Sequence, residues 1–546
     1  MTAYDYIVVG AGSAGCIVAA RLSEDPNVSV LLLEAGGNDS SPWFRVPVGY
    51  ARSYYDPKVN WMYWTEPEAA LDGRRIYAPR GKVQGGSGSI NAMIFVRGAA
   101  ADFDDWADAG NPGWGYEDVL PYFRRLETHP AGDGPYHGAT GPIHVTPMRN
   151  QAHAVTAKFL EACAELQLPL NPDFNGEDIE GAGIYDINTR NGVRSSSSMA
   201  YLRPALRRPN LRVLRNAHAQ RIVLDDQRHA TGIVARTEAG AESFIARREV
   251  ILAAGAVGTP ALLQLSGIGD GADLQAVGVE TRHHLPAVGR NLQDHLCASF
   301  YYRSLVPTLN DDLGTLFGQV RQALRYGLTR KGPLALSVNQ AGAFLRGSPD
   351  EARPNIQLYF NPLSYRIPSD PRAGLKPEPY SGFLLAFNSC RPTSRGRVAI
   401  ASPDPATAPR ISPNYLSTAR DEQEVLQASH LVRRIMTAPA LKAITETEMP
   451  PSAEAQSDGE LLDYFRANSG SIYHLCGTAR MGPDASDSVV DPLLRVHGIE
   501  GLRVIDASVF PNITAGNINA PTMMVAERGA ELVRRRWSLM AAETTA

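Results

Sequence analysis

Apolar residues near the amino terminus follow the pattern of one strand–helix–strand unit. The β-branched run at residues 6–9 predicts a strand buried on both faces, and the glycine-rich turn 10–15 follows it. Ile17, Ala20 and Leu22 have helical spacing, which predicts a helix after the turn. A second apolar run, residues 28–33, ends in Glu34. The pattern predicts a βαβ unit with an acidic residue at the end of its second strand.

Other apolar runs predict the remaining elements of the same layer. Strands are expected at residues 211–224, 248–254 and 502–505, and a helix at 522–536. The uncharged run 250–269 is long enough to span a bilayer. Glycines and Pro260 interrupt that run, so strand, turn and short helix are predicted in place of a membrane span.

The sequence pattern changes between about residues 301 and 463. The strand pattern of the first region returns after residue 472. The order predicts an α/β protein (α+β overall) in which a second domain interrupts a Rossmann-like domain. We expect the discontinuous dinucleotide-binding domain at residues 1–155, 190–300 and 468–546. The substrate-binding domain is expected at 156–189 and 301–467.

Composition narrows the classes of function. The chain has 546 residues, of which 44% are hydrophobic and 20% charged, so disorder is excluded. A net charge of −4 gives no general attraction to nucleic acid. Five scattered cysteines without a C-x-x-C pair predict neither a disulfide framework nor a metal site. With no basic n-region at the amino terminus, we expect a cytoplasmic protein without a membrane span.

The glycine turn has the features of a dinucleotide site. Gly10 permits a tight turn, Gly12 leaves room for a pyrophosphate, and Gly15 lets the helix pack closely on the strand. The free amides at the helix amino terminus hold phosphates. Glu34 lies 24 residues after Gly10, where a carboxylate accepts hydrogen bonds from a ribose diol. A purely structural turn is the alternative, and this unit does not distinguish FAD from NAD.

Longer stretches resemble a known family. Residues 79–93 (PRGKVQGGSGSINAM), 255–269 (GAVGTPALLQLSGIG) and 288–295 (VGRNLQDH) are similar to motifs of the glucose–methanol–choline (GMC) oxidoreductases. The resemblance covers the whole chain, and within the family it is closest to the bacterial choline-dehydrogenase-like and alkanol-dehydrogenase-like branch. It implies a Rossmann-like FAD-binding domain with an inserted antiparallel-sheet domain for the substrate.

The resemblance also implies FAD, bound non-covalently, because Ile90 stands where some members carry the histidine that attaches the flavin. Together with the glycine turn, it assigns cofactor-binding positions in the first signature, in the strand after residue 211 and near the carboxy terminus. These are Gly10, Gly12, Ser13, Ala14, Gly15, Glu34, Ala35, Arg80, Val83, Gly86, Asn91, Ala92, Met93, Ala219, Asp506, Ala507 and Asn517.

Two further blocks resemble the catalytic blocks of the family. Residues 471–482 place His474 as the general base, or as the group that orients the alcohol. Residues 516–522 offer Asn519 as its partner, with Asn517 approaching the flavin. The alternatives are a structural role for His474 and a helix-capping role for Asn519. Outside these blocks the other histidines, His295 among them, are interpreted as structural.

The expected reaction is oxidation of a primary alcohol to the aldehyde, with onward oxidation to the acid left open. Choline dehydrogenases tend to have Glu where this chain has Gln340, which favours an uncharged aliphatic or aryl alcohol over choline. The electron acceptor is O₂ or a quinone-like carrier. A choline-type dehydrogenase, a hydroxynitrile lyase with FAD in a non-redox role and a non-enzymatic flavin-binding protein are the alternatives. Oligomeric state stays open.

Overall fold

The computed structural model describes residues 2–366 and 374–545, and two sheets organise them. The first sheet combines parallel strands on one side with an antiparallel pair on the other. Its strands, in order across the sheet, are Leu211–Leu214, Val30–Leu33, Thr2–Val9, Gly240–Leu252, Ala230–Thr237 and His218–Leu224, with Leu502–Val504 also paired to Gly240–Leu252.

The parallel strands of the first sheet end at one edge. Val9 lies opposite both Leu33 and Leu252, and Leu252 lies opposite Val504. The turns that follow these strands therefore meet at the same edge, which is where ligands bind in open α/β sheets. Ile7 has no exposed surface, as expected for a strand covered on both faces.

The second sheet is antiparallel throughout. Its strands, in order, are Thr445–Glu448, Leu296–Ser304, Gly382–Ser389, Ile356–Asn361, Ala341–Leu345 and Gly181–Ile184, with Gly470–Ser471 also paired to Leu296–Ser304. Phe300, Phe360 and Phe387 are buried in a separate hydrophobic core on this sheet. Each of the two sheets therefore has a hydrophobic core of its own.

Helices cover the sheets, and short strand pairs connect them. The α-helices are Ser13–Leu22, Pro42–Arg45, Tyr50–Ser53, Ala100–Asp108, Tyr116–Leu126, Ala154–Glu165, Arg203–Ala205, Gly255–Leu265, Gly271–Ala276, Leu309–Leu313, Leu316–Thr329, Ala419–Met436, Pro439–Lys442, Asp458–Asn468 and Asn519–Thr545. The short strands are Tyr63–Trp64, Tyr77–Ala78, Glu127–Thr128, Ile143–His144, Thr146–Pro147, Asp186–Ile187, Thr189–Arg190, Val193–Arg194, Ile268–Gly269, His283–His284, Arg290–Leu292, Tyr365–Arg366, Lys376–Pro377, Gly396–Ala399 and Arg410–Ser412. Within the described ranges, no helix combines the length and the apolar character needed to cross a bilayer.

The predicted fold class is confirmed, and one predicted strand is wrong. Residues 211–224 form two strands at opposite edges of the first sheet, Leu211–Leu214 and His218–Leu224. Asn216 has a left-handed backbone with φ of 53°, and its N–H donates to the Gly36 carbonyl, so the chain turns there. The predicted domain boundaries stay a prediction. Gly470–Ser471 falls in the segment expected for the nucleotide-binding domain and pairs with the second sheet.

Candidate active site

One cavity of about 940 Å³ is lined by both sheets. Val9 and Leu33 bring the carboxyl edge of the first sheet to it, and Tyr359 and Ala386 belong to the second sheet. All the sequence-predicted site residues line this cavity except Gly15 and Val83. The structure therefore gathers into one space positions that are scattered over almost the whole chain.

Gly15 and Val83 lie behind the residues that line the cavity. A Cβ atom on Gly15 would lie 1.8 Å from the Gly10 carbonyl oxygen, so only glycine lets the first helix approach the turn. Val83 is fully buried in a small apolar cluster with Phe44 and Ile90. Both residues shape the wall without facing the space that it encloses.

The turn after the first strand is open toward the cavity. The nearest atom to a Cβ on Gly12 would be the Ala253 carbonyl oxygen, at 3.9 Å, so a side chain there would occupy space that is now free. The helix Ser13–Leu22 begins without a side-chain cap and without an acidic residue in its first turn. Its amides are thus free to bind an anion such as a pyrophosphate.

Glu34 lies at the end of the second parallel strand. Its Oε2 accepts the Ala11 N–H at 2.9 Å and its Oε1 accepts the Gly36 N–H at 2.8 Å. Burial raises the pKa of this carboxyl to about 7, although the two backbone N–H groups and Lys82 act in the opposite direction. Each oxygen keeps a further lone pair, which can accept a hydroxyl of a bound ribose.

His474 lines the same cavity and lies between two side chains that come from separate segments. Its Nδ1 is 2.9 Å from His295 Nδ1, and its Nε2 is 3.1 Å from Asn517 Nδ2. The structure thus pairs His474 with Asn517, whereas the sequence predicted Asn519. Asn519 instead accepts a hydrogen bond from Ser13 Oγ at 2.8 Å through its Oδ1, beside the glycine turn.

A simple geometric reason separates the two asparagines. Asn519 is the first residue of the helix Asn519–Thr545, and this end of the helix lies against the first helix of the chain. Asn517 lies two residues earlier, in the irregular segment before the helix, and its side chain contacts His474. Two residues along a chain are enough to separate the two ends of the site.

Both rings of the histidine pair are neutral near pH 7. Burial lowers the pKa of His295 to about 4. Burial also lowers the pKa of His474 well below its usual value, and the nearby His295 and Arg80 add to that effect. Each ring therefore carries one hydrogen, and the position of that hydrogen decides which nitrogen of His474 can accept a proton.

The Cys390 carbonyl determines the position of both hydrogens. A carbonyl oxygen only accepts, so His295 Nε2 donates across the 2.9 Å contact to Cys390. His295 Nδ1 is then the acceptor of the hydrogen on His474 Nδ1. His474 Nε2 consequently bears a lone pair, and it accepts from the amide of Asn517. The arrangement holds a neutral imidazole with its basic nitrogen at the cavity wall.

The backbone around His474 is fixed by Asp294. The Asp294 Oδ1 accepts the His474 N–H at 2.7 Å, and its Oδ2 accepts the hydroxyls of Tyr415 at 2.6 Å and Ser471 at 2.5 Å. The preceding residue, Tyr473, has a φ of 72°, which a side chain disfavours. A strained backbone held by a buried carboxylate is common where a side chain must be aimed.

Sequence reasoning missed His295 and Asp294 as parts of the site. Both lie in the stretch 288–295 that carried the family resemblance, and the adjacent acidic residue and histidine were the available signal. Nothing in the local spacing shows that His295 meets a ring 179 residues later. The pairing of Leu296–Ser304 with Gly470–Ser471 and the bridge between Gln293 and Cys476 bring the two segments together.

Gln340 has a structural role that the sequence did not indicate. Its Oε1 accepts the His153 N–H at 2.7 Å and the Thr156 hydroxyl at 3.1 Å, at the start of the helix Ala154–Glu165. Gln340 is 1% exposed and is not part of the cavity lining. The exchange of Glu for Gln at this position therefore gives no argument against choline.

Comparison with known proteins places these residues in a family. Models of GMC oxidoreductases match residues 4–297 and 392–526. The chain is 42% identical to an oxygen-dependent choline dehydrogenase of Vibrio vulnificus, over 98% of this chain and 95% of that protein. It is 38% identical to an alcohol dehydrogenase (acceptor) of Pseudomonas putida, over 98% and 96%. A formate oxidase variant of Aspergillus oryzae, solved to study FAD modification, superposes with a TM-score of 0.89 at 27% identity, over 98% of each chain.

Proposed function

The chain belongs to the GMC oxidoreductase family, and on that premise we propose that it oxidises an uncharged primary alcohol to the aldehyde. The observation that carries the proposal is the lone pair of His474 Nε2, held at the cavity wall beside the amide of Asn517. The names of the relatives, choline dehydrogenase and alcohol dehydrogenase, support a donor with a CH–OH group.

FAD is the cofactor that the residues fit. The open position at Gly12 and the uncapped amides of the first helix suit its pyrophosphate, and Glu34 suits its ribose. FAD, when bound, supplies the acceptor for the hydride that leaves the alcohol carbon. Ile90 offers no atom for a covalent bond, and this supports non-covalent binding.

The residues of the chain handle the proton and the oxygen of the alcohol. The alcohol hydroxyl replaces the Asn517 N–H at His474 Nε2, which takes the hydroxyl proton while the C–H bond breaks as a hydride, so that the C–O bond becomes the carbonyl of the aldehyde. Asn517 Nδ2 has two hydrogens, one of which donates to the oxygen as negative charge develops. His295 keeps His474 in the tautomer that this transfer requires.

The low pKa of His474 is compatible with this role. It keeps Nε2 unprotonated at neutral pH, so the base is ready before the alcohol arrives. As the proton is taken, negative charge develops on the alcohol oxygen beside the imidazolium, and the two opposite charges attract at short range. That attraction offsets much of the basicity that burial removes from His474.

The preference for an uncharged alcohol rests on the lining that the second sheet contributes. Its side chains are all neutral: Cys297, Ala298, Ser299, Tyr301, Tyr359, Asn361, Leu384, Ala386 and Ser471. A cation removed from water needs an anion or an aromatic cage as compensation. An aliphatic or aryl group needs neither.

Choline is the second candidate. Glu378 and the tyrosines Tyr50, Tyr359 and Tyr365 also line the cavity, so an acidic group and aromatic faces are both available to a quaternary ammonium group. The choline dehydrogenase of Vibrio vulnificus, 42% identical, supports the same candidate. A direct comparison of choline with a neutral molecule of the same shape separates the two.

The experiment is an anaerobic titration of the purified enzyme, followed by its visible spectrum. We expect 3,3-dimethylbutan-1-ol, the uncharged analogue of choline, to bleach the flavin faster than choline does. The reverse order would support choline, and no bleaching by either of these or by hexan-1-ol and benzyl alcohol would overturn the proposal. Cleavage of mandelonitrile without bleaching would support a lyase. Admission of air then distinguishes O₂ from a quinone-like acceptor by the rate at which the colour returns.

A further inference from the structure

The helix Leu316–Thr329, here the exposed helix, presents its apolar side chains to solvent. Leu316, Phe317 and Leu328 are 78%, 79% and 85% exposed, and Val320 and Leu324 are 50% and 62% exposed. With 3.6 residues per turn, these five positions share one side of the helix. The result is a continuous apolar face of four turns that nothing in the described chain covers.

The opposite side of the exposed helix attaches it to the protein, and that side is small and polar. Gly318, Gln322 and Tyr326 are its buried residues. Gln322 Nε2 donates to Asp312 Oδ1 at 3.0 Å, and the Tyr326 hydroxyl donates to the Gly192 carbonyl at 3.0 Å. An ordinary surface helix has the reverse arrangement, with its apolar side toward the core.

Cations flank the apolar face, and the exposed helix contains no acidic residue. Arg321 and Arg325 lie along one flank, and Arg330 and Lys331 follow the last turn. Arg321 pairs with Asp312. Neither Arg325 nor Lys331 has an ion pair within residues 2–366 and 374–545. This local excess of positive charge contrasts with the net charge of −4 of the chain.

The other basic cluster of the molecule lacks both features. Arg534 pairs with Glu24 at 2.9 Å, and Arg536 pairs with Glu500 at 3.0 Å. These arginines are thus neutralised by acidic residues, and among the side chains described up to Ser538 no exposed apolar face accompanies them. Apolar surface and free positive charge occur together at the exposed helix.

The exposed helix lies beside one wall of the cavity. The helix Leu309–Leu313 directly precedes it and packs against it. Within that short helix, Asn310 Nδ2 donates to the carbonyls of Ser364 at 2.8 Å and Glu378 at 3.0 Å. Glu378 and Tyr365, the neighbour of Ser364, line the cavity. A surface that docks here would lie next to that wall.

We propose that the exposed helix docks on an anionic lipid bilayer, parallel to the membrane plane. Its leucines and Phe317 would enter the boundary between headgroups and acyl chains, and Arg325 and Lys331 would contact anionic headgroups. Binding of this kind needs a convex apolar face with cations at its border, and the exposed helix has that shape.

A second copy of the chain fits the same surface less well. An antiparallel, two-fold packing of two exposed helices would place the Arg321 and Arg325 flanks of both copies on the same side. Like charges would then face each other across the contact without an acidic residue from either helix. A lipid surface offers the apolar layer and the negative charge together.

The test is flotation of the holoenzyme with vesicles of phosphatidylcholine, with or without phosphatidylglycerol. We expect binding to the mixed vesicles that weakens about tenfold or more when phosphatidylglycerol is omitted or salt is raised. The variant L316S/L324S/L328S should lose binding at least tenfold, since each leucine contributes buried apolar area. Its oxidation of a short, water-soluble alcohol should not change.

Matched controls come from other exposed side chains. The variant L206S/L493S removes leucines that are 40% and 44% exposed elsewhere, and it should float like the wild type. Arg325→Gln should weaken binding to the mixed vesicles, whereas Arg207→Gln, also at an exposed position, should not.

Three results would overturn the proposal. The first is a wild-type enzyme that floats with neither kind of vesicle. The second is a triple serine variant that floats as well as the wild type. The third is a wild type that sediments as a dimer, with a monomeric triple variant and no vesicle binding in either. That third outcome would assign the exposed helix to a contact between two copies.

Discussion

The two ends of the cavity are built in different ways. At the nucleotide end, backbone groups provide the contacts: the turn at Gly10, the free amides of the first helix, and the N–H groups that hold Glu34. At the alcohol end, side chains from three distant segments meet, namely His295, His474 and Asn517. The glycine turn and Glu34 are local in the chain and receive one distant contact from Asn519, whereas the other end is assembled entirely by the tertiary fold.

Because of this difference, the two ends should tolerate different amino-acid substitutions. A backbone site depends on the absence of side chains, so an added Cβ should disturb it more than the loss of one polar side chain such as Glu34 or Asn519. A side-chain site depends on identity and orientation, so one substitution removes a function and leaves the fold. The two ends should therefore fail separately, and the following experiments test that separation.

The largest effect is expected for His474→Ala. Loss of the base should lower kcat/KM by about 10²–10⁴, because no other group at that wall takes the hydroxyl proton. The flavin content should equal that of the wild type, since the hydrogen bonds of His474 go to His295, Asn517 and Asp294 and not to the glycine turn. Stopped-flow reduction and the flavin-to-protein absorbance ratio measure the two quantities. A variant that is active, or one that has lost its flavin, would contradict the separation of the two ends.

A matched pair of asparagine variants follows. Asn517→Ala should lower kcat about 10²-fold, because the donor to the developing oxyanion is lost. Asn519→Ala should leave kcat nearly unchanged and weaken FAD binding, because its contact is with Ser13. Steady-state kinetics and the quenching of flavin fluorescence on binding report the two effects. The opposite result would restore Asn519, the residue that the sequence favoured, as the partner of His474.

His295 should behave as a positioning residue. Substitution by leucine removes the acceptor for His474 Nδ1–H and should lower kcat about tenfold to a hundredfold, the range known for groups that orient functional histidines in metal sites. Glutamine can both accept from His474 and donate to the Cys390 carbonyl, so His295→Gln should recover most of the rate. Equal losses in both variants would indicate a purely structural histidine.

Glu34→Gln tests the nucleotide end. The neutral amide can accept only one of the two backbone N–H groups, from Ala11 or Gly36, and its own N–H group then faces the other. We expect FAD to bind about tenfold more weakly, with kcat unchanged at saturating FAD. A change in kcat at saturation would show that the two ends communicate.

The smallest effect concerns stability at low pH. His295 has a pKa of about 4 in the folded protein, below the ordinary value of about 6.5 that applies when the chain is unfolded. The unfolded chain therefore binds the proton first, and stability is lost as pH falls from about 6.5 toward 4, by at most about 1.4 kcal/mol per pH unit. Thermal unfolding across this window should show a smaller loss for His295→Gln than for the wild type.

The same contrast explains how far the sequence alone could be interpreted. The strand, turn, helix and acidic residue of the nucleotide end lie within residues 2–36, so their spacing already contains their geometry. At the alcohol end the sequence favoured Asn519, two residues from Asn517, and treated His295 as structural. Those contacts depend on the pairing of Leu296–Ser304 with Gly470–Ser471, which no local pattern encodes.

Larger elements show the same limit. The run 211–224 has uniform strand character, yet a turn at Asn216 sends its halves to opposite edges of one sheet. Gln340 is in a position that suggests a substrate contact by resemblance, and it fastens the start of a helix instead. In both cases the sequence indicated the kind of element or contact. Tertiary packing determined which part of the protein it meets.

The contact between the first and last helices has a consequence for how the enzyme is made. Ser13 bonds Asn519, and the buried carboxylate of Glu527 pairs with Arg21 at 2.8 Å; in each case the partners are 506 residues apart. At a synthesis rate of about 5–20 residues per second, the first helix waits on the order of 25 to 100 seconds on the ribosome for its partner. The flavin site that we propose therefore lacks these two contacts until the chain has been made as far as Asn519 and Glu527, and FAD meets the complete set only afterwards.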